Sequence, residues 1–327
     1  MDVHRFDADD RAALAAWVDV HNAVEAVDAP WQPPLTAHRA EGDIRYGWDG
    51  EPDTPFLGCV DGEPVAAGWV TASDYDNRDA AWLMVRVRPD RRRQGLGSAM
   101  LEVLERHVRG LGRGVVGTFG WVGSPADAFV TVRGFEPRAR DAQRRQVLAE
   151  VDWDRIESLH AEASTHAADY ELLRRVGPSP EDELPALAAL TASINDAPTD
   201  DLVWEDEAFP PERVASYERV QQARGDLLHR LVARHRGTGE LAGHTVVAVD
   251  GERPWLGDQH DTAVSPAHRG HRLGLLLKTG MNLWLREAQP QLARVDTWNA
   301  ESNRHMLAVN DAIGYRVVGR HVLYQRP

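Results

Sequence analysis

Apolar residues recur along the chain with two periods. Alternation marks strands, and recurrence every three to four residues marks helices. In the first half, MDVHRF reads as an opening strand. DADDRAALAAWVDVHNAVEAV reads as a helix with Asp7 or Asp9 as its cap. PFLGCVDGEPVAAGWVTAS reads as a hairpin turning at Asp61-Gly62. AAWLMVRVRP is a strand stopped by Pro89, SAMLEVLERHVRGLG an amphipathic helix, GVVGTFGWV a strand, SPADAFVTVRGF a short capped helix and RRQVLAEVDW a closing strand. The second half repeats this order. YELLRRVG is a strand, EDELPALAALTASIND a helix and PPERVASYERVQQARGD a further helix-like stretch. HRLVARHRGTGELAGHTVVAVD is a hairpin turning at Gly237–Gly239, and DQHDTAVSP a strand. LGLLLKTGMNLWLREA is a helix, RVDTWNA a strand, ESNRHMLAVNDAIGY a helix and RVVGRHVLYQ a strand.

The repeat extends to particular residues. RPDRRRQGLGSAMLEVLERH at 88–107 returns as SPAHRGHRLGLLLKTGMNLWL at 265–285, and Arg92 and Arg269 lie 177 residues apart. That spacing is about one domain. The chain therefore reads as an α/β protein of two copies of one module, residues 1–153 and 170–327, joined by a linker helix at 154–169.

Composition narrows the function. A hydrophobic content of 43% supplies packed cores, and no run approaches the roughly 20 apolar residues of a membrane span. The charged N-terminus does not resemble a secretory signal. The single cysteine, Cys59, permits no internal disulfide and sits in a strand as a small core residue. A soluble cytoplasmic protein is expected. The net charge of −14 argues against nucleic acid or an anionic membrane as partner. It is compatible with a cationic amine.

Against that acidic background, Arg91, Arg92 and Arg93 run into Gly95 and Gly97 at the mouth of a helix. A helix start leaves about four N–H groups unpaired and carries about half a positive charge. Glycines let the backbone approach a ligand, and arginines add charge. A strand, such a loop and a helix make a seat for a diphosphate. It fits neither the P-loop nor the dinucleotide fingerprint.

The stretch Arg92-Arg93-Gln94-Gly95-Leu96-Gly97 resembles the acyl-CoA signature of the GCN5-related N-acetyltransferases (GNAT). The order of elements and the short helices ending in Gly134-Phe135 and Gly314-Tyr315 are similar too. The likeness covers nearly the whole chain as a tandem pair, similar to two-module actinobacterial members of the mycothiol synthase kind. It implies a mixed, mostly antiparallel central sheet flanked by helices in each module. It also implies a central strand that splays from its neighbour, with acetyl-CoA as cofactor. The implied reaction is direct attack of a substrate amine on the thioester, with the oxyanion held by a backbone N–H.

Carried onto this chain, the resemblance points to Val85, Arg86 and Val87 along the pantetheine arm and to Arg92, Arg93, Gln94, Gly95, Leu96, Gly97 and Ser98 at the diphosphate. In the second half the counterparts are Ala263 and Val264, then Arg269, Gly270, His271, Arg272, Leu273 and Gly274. There Arg272 stands where the signature has its first glycine. Either it obstructs the phosphate or its side chain swings outward. Asn303 resembles a cofactor-contacting asparagine of the family, with helix capping by Asn299 or Ser302 as the plainer reading of this stretch.

The first half holds Leu83 and Ala81 where the family commonly places a basic carboxylate. The second half offers Asp258 and His260, which strict alternation puts on one face with Asp261 on the other. Either could accept a proton from an ammonium, and a histidine titrates near neutrality unaided. The tyrosine that often protonates the leaving thiolate is absent, with Val130 and Asn310 in its place. Catalysis is therefore expected in the second module. Trp204 and Glu205 lie where family members build the acceptor site. His260, His268 and His271 lack metal-ligand spacing, so no metal is expected. The acceptor amine and the choice between monomer and homodimer are not legible. A non-catalytic acyl-CoA sensor is the competing function.

Overall fold

The computed structural model describes residues 1–326. Its contacts divide the chain into two units. The first contains residues 1–140, 199–206 and 319–326, and the second contains 141–198 and 207–318.

In the first unit the elements are β1 (Asp2–Arg5), α1 (Arg11–Asp28), α2 (Ala37–Tyr46), β2 (Thr54–Val60), β3 (Glu63–Thr71), β4 (Ala80–Val87), α3 (Leu96–Gly110), β5 (Val115–Trp121) and α4 (Ala126–Thr131). β6 (Glu136–Val147) begins there, and its residues 141–147 belong to the second unit. The second unit continues with α5 (Trp153–His166), β7 (Tyr170–Val176), α6 (Leu184–Thr191), α7 (Pro211–Ala223), β8 (Leu227–His235), β9 (Leu241–Val249), β10 (Leu256–Val264), α8 (Leu273–Ala288), β11 (Arg294–Ala300) and α9 (Arg304–Ala312). β12 (Arg316–Arg326) closes the chain, and its residues from Gly319 onward belong to the first unit.

Each unit has the expected mixed sheet. The first runs β1-β2-β3-β4-β5-β12 and the second β7-β8-β9-β10-β11-β6. All neighbours are antiparallel except the parallel pairs β4–β5 and β10–β11. The closing strand of each half lies where the sequence reading did not put it. β12 pairs with β5, Val322 opposite Gly120, and the later part of β6 pairs with β11, Gln146 opposite Val295. Alternation identifies a strand but not its partner.

Local chemistry explains the boundaries. The α1 cap is Asp10 rather than Asp7 or Asp9, and its Oδ1 accepts from the Ala13 amide at 3.0 Å. Asp7 closes the preceding turn, accepting from the Asp9 amide at 2.9 Å. The β2–β3 turn has positive φ at both Asp61 and Gly62, the geometry that matches strand twist in a two-residue hairpin. α2 occupies a stretch with no readable motif, capped by Thr36.

Helices cover both faces of each sheet. In the first unit, α3 buries Met100, Leu101, Leu104 and Val108 against Val65, Leu83, Val322 and Tyr324. α1 and α2 bury Leu14, Trp17, Val20 and Ile44 on the other face. In the second, α5 and α8 pack Ile156, Leu276, Leu277 and Met281 on the sheet, while α6 and α7 cover Val232 and Val246 on the far side. No helix of the described residues is long and apolar enough to cross a membrane.

Candidate acyl-CoA site

β4 and β5 pair only over Ala80–Trp82 and Val115–Gly117, then diverge. β10 and β11 pair only over Leu256–Asp258 and Arg294–Asp296. The divergence opens backbone groups of the central strands. In the first unit it opens a cavity of about 580 Å³, within the range of small-molecule and cofactor sites. Val85, Arg86, Val87, Arg92, Arg93, Gly95, Leu96, Gly97 and Ser98 all line it; Gln94 is exposed and does not. The opposite wall comes from β5 and α4, including Thr118, Trp121, Phe129 and Arg133.

The loop that heads α3 is a concave run of amides. Arg93 and Gly95 have φ of 64° and 80°, with Gln94 between them. Alternating left-handed residues turn successive N–H groups inward, a geometry that binds anions. The second unit has the same backbone with the residue types exchanged: φ is 87° at Gly270 and 55° at Arg272, ahead of α8. A left-handed arginine is strained by about 1–2 kcal/mol. Its side chain swings outward and pairs with Glu162 on α5. Of the two alternatives for Arg272, the structure shows the outward one, with the loop amides left facing the mouth of the helix.

The first arginine of each signature does something else. Arg92 donates to the Val87 carbonyl at 3.2 Å and makes a two-pronged pair with Asp28 at 3.0 and 2.7 Å. Arg269 likewise donates to the Val264 carbonyl at 3.3 Å and pairs with Asp196. These arginines tie strand end to helix end and hold the loop. Charge for an anion in the first cavity is left to exposed Arg93 and to Arg133, which pairs with Ser98 and lies 5.5 Å from the centre of the Phe129 ring. Arg133 was missed from sequence although it directly precedes the Gly134-Phe135 mark.

On the other face of β4, the Arg86 guanidinium meets Glu25 at 3.2 Å and sits 5.5 Å over Trp69. Arg86 lines the cavity, and its side chain is spent on α1.

In the second unit, β10 carries a bulge. Gln259 opposes Val247 and Thr262 opposes Thr245, so His260 and Asp261 share one partner position. The bulge breaks strict alternation, and the expectation that Asp261 turns away from His260 does not hold. Arg230 and Arg213 act on Asp261, and Asp261 acts on Tyr217, the residue that bonds His260. Asp261 keeps solvent access, yet the protein packed around it holds its carboxyl above the ordinary range against the pull of both arginines. The Tyr217 Oη to His260 Nδ1 distance is 2.5 Å. Burial raises the Tyr217 pKa, so it stays a neutral phenol. Asp258 is exposed near the start of the strand, beside Asp296 of β11. Arg230 is engaged by Glu218 at 3.0 Å, and Glu218 also accepts from Ser179.

Several predicted residues have other duties. Asn303 caps α9, accepting from the Met306 amide at 3.2 Å, and Asn299 accepts from Asn310 at 2.7 Å. Ala263 is buried opposite His244, and Leu273 packs in the core. His271 lies in the loop and Gly274 in the first turn of α8, with open space where a Gly274 Cβ would project. His268 meets the Tyr170 hydroxyl at 3.0 Å. Trp204 and Glu205, read as part of the second half, belong to the first unit. Trp204 packs edge-on against Trp82 of β4, and Asn77 binds the Glu205 backbone in both directions. A long connection crosses sequence boundaries that composition does not mark.

Residues 21–135 match the acetyltransferase (GNAT) family. No curated protein matches the chain at a significant level. Among solved structures, a tandem GNAT protein from the clavulanic acid biosynthesis pathway superposes with a TM-score of 0.81 at 22% identity, over 99% of this chain and 98% of that one. A GCN5-related N-acetyltransferase from Sphaerobacter thermophilus gives 0.67 at 17% identity, over 99% and 95%. A putative acetyltransferase from Pyrococcus horikoshii gives 0.54 at 12%, over 99% and 88%. Residues 21–135 are thus similar to the GNAT acetyltransferase family, and the chain has the fold of a tandem GNAT protein.

Proposed function

We propose that the protein is an acetyl-CoA-dependent N-acetyltransferase acting on the amine of a small molecule. The observation that carries this is the first unit's cavity, which joins a splayed parallel strand pair to the inward-turned amides ahead of α3. Those amides, Arg93 and Arg133 would hold the diphosphate, and the free backbone groups of Val85–Val87 the pantetheine arm. When bound, the coenzyme supplies an activated acyl thioester.

The transfer step is placed in the second unit, which repeats the loop and the splay and adds proton-accepting groups. With its Nδ1–H donated to Tyr217 Oη, His260 would take the proton of a substrate ammonium at Nε2, and the tyrosine oxygen would steady the resulting imidazolium. Asp258, exposed near the start of β10, is the alternative base and a counter-charge for the incoming cation. Trp204 and Glu205 belong to the first unit, so a cationic amine held by that exposed carboxylate beside two tryptophans would be bound in that unit and not at His260.

The test is release of free CoA from acetyl-CoA across a panel of small amines. His260→Ala is expected to lower kcat about 10²–10⁴-fold while acetyl-CoA binding persists. Turnover unchanged in both His260→Ala and Asp258→Ala rejects the assignment. Binding with no turnover on any amine favours a sensor.

A further inference from the structure

The second unit buries a cation for which the described residues offer no ion pair. Lys278 lies five residues into α8 and is 2% exposed. The centre of the Tyr315 ring lies 4.8 Å from its Nζ. Among the described residues no hydrogen bond or ion pair to it is found. Isolated buried ammonium groups are costly and are normally paired or lose their charge. Burial alone pushes this amine down to about 7. The carboxylates of the surrounding strands are not aimed at it. Asp296 is held by Arg145 at 2.7 Å, and the charges of Asp296 and Asp258 act on Tyr315. One turn further along α8, Asn282 is taken by Gln146 at 2.6 Å.

The repeat shows where Lys278 points. Its counterpart in α3 is Leu101, also five residues past the helix start. The counterpart of Tyr315 is Phe135, each following the glycine that ends its short helix. Leu101 and Phe135 both line the first unit's cavity. Helical side chains lean toward the helix N-terminus, so the ammonium is carried toward the amides of Gly270–Gly274. Two independent features therefore converge: an anion-binding loop and, behind it, a buried cation without a counter-charge.

This inference rests on the reading of the second unit as an acyl-CoA seat. We infer that Lys278 is the internal counter-charge of that seat, forming an ion pair with an anionic group of the bound acyl-CoA, a contact the Leu101-lined first seat cannot make. The anion is either the coenzyme's diphosphate or a carboxylate on the acyl chain.

The test is calorimetry in a Gly97→Trp protein, whose first seat is blocked, at pH 8 in two buffers of different ionisation enthalpy. An amine that is mostly neutral when free and charged when paired takes up about 0.9 proton per ligand. Uptake with acetyl-CoA identifies the diphosphate as partner. Uptake with succinyl-CoA alone identifies the acyl carboxylate. Lys278→Leu, which copies the first unit's residue, is expected to abolish the uptake and weaken binding at least about tenfold. Lys278→Met guards against a packing effect peculiar to leucine. Equal affinity and equal proton uptake with and without the lysine overturn the inference. So does absence of any binding in the Gly97→Trp protein while the parent still binds one acetyl-CoA, and that result leaves the first-unit reading standing. Loss of binding in the parent itself is the failure of that reading instead.

Discussion

At the scale of single residues, burial sets the ionisation of several groups. Lys278 sits at about 7 in the folded chain against 10.5 when free. Between those values the unfolded chain binds more protons, so this group's contribution to stability rises with pH from about 7 to 10.5. Below that window its burial costs on the order of 5 kcal/mol. Lys278→Met should therefore raise the urea midpoint at pH 7 and change it little above pH 10.5. Histidines carry the same sign at acid pH. His21, His244 and His321 are held near 3 against 6.5 by burial, with Arg86 or Arg230 adding to the effect. They stay neutral when folded, and the stability they permit is lost as pH falls from about 6.5 toward 3. A pH titration of the unfolding midpoint should show a steep decline over that window, flattened in a His244→Leu variant. In the cavity, Arg133→Ala is expected to weaken acetyl-CoA binding about tenfold or more, read by calorimetry, because it removes one of two cations not committed to a carboxylate.

At the scale of elements, the two loops reach one backbone shape by different residues. Gly95 takes its left-handed φ freely, whereas Arg272 holds one against steric cost. Arg272→Gly should raise the second unit's stability by up to about 1 kcal/mol without weakening ligand binding there. Thermal unfolding and calorimetry on that variant check both halves of the expectation. The bulge in β10 is the second element-level device. It inserts one residue into the strand where His260 bonds Tyr217 and the charge of Asp261 acts on the same tyrosine. β4 has no such shift in its pairing with β3. The twin segments thus differ in geometry as well as in residue type.

At the scale of the whole molecule, each unit needs a strand from the other half of the sequence. Val322 and Tyr324 of β12 are buried in the first unit's core, and Tyr324 donates to Asp127 at 2.7 Å. Removing residues 319–327 should therefore destroy acetyl-CoA binding in the first unit, although the cut is far from Gly95 and Gly97 in sequence. A fragment of residues 1–153 should fail to fold alone for the same reason, as circular dichroism would show.

The order of strands and helices, the turn at Asp61-Gly62, the paired Arg-Gly loops and the part of the first cavity's lining that runs from Val85 to Ser98 were legible from the sequence. Each rests on local rules: periodicity, the positive φ that glycine allows, and the amides a helix start exposes. Pairing partners were not legible, because a strand's alternation is the same whichever edge it joins. Nor was the bulge, which leaves no mark in composition. The roles of Arg92 and Arg269 as clamps depend on Asp28 and Asp196, about 65–75 residues away in sequence. Lys278 was visible as a lone charge in LGLLLKTGMNLWL, but a cation on a helix is ordinarily solvated. Only packing decided that this one is buried, with no ion pair among the described residues, since burial is a property of what surrounds a residue and not of the residue itself.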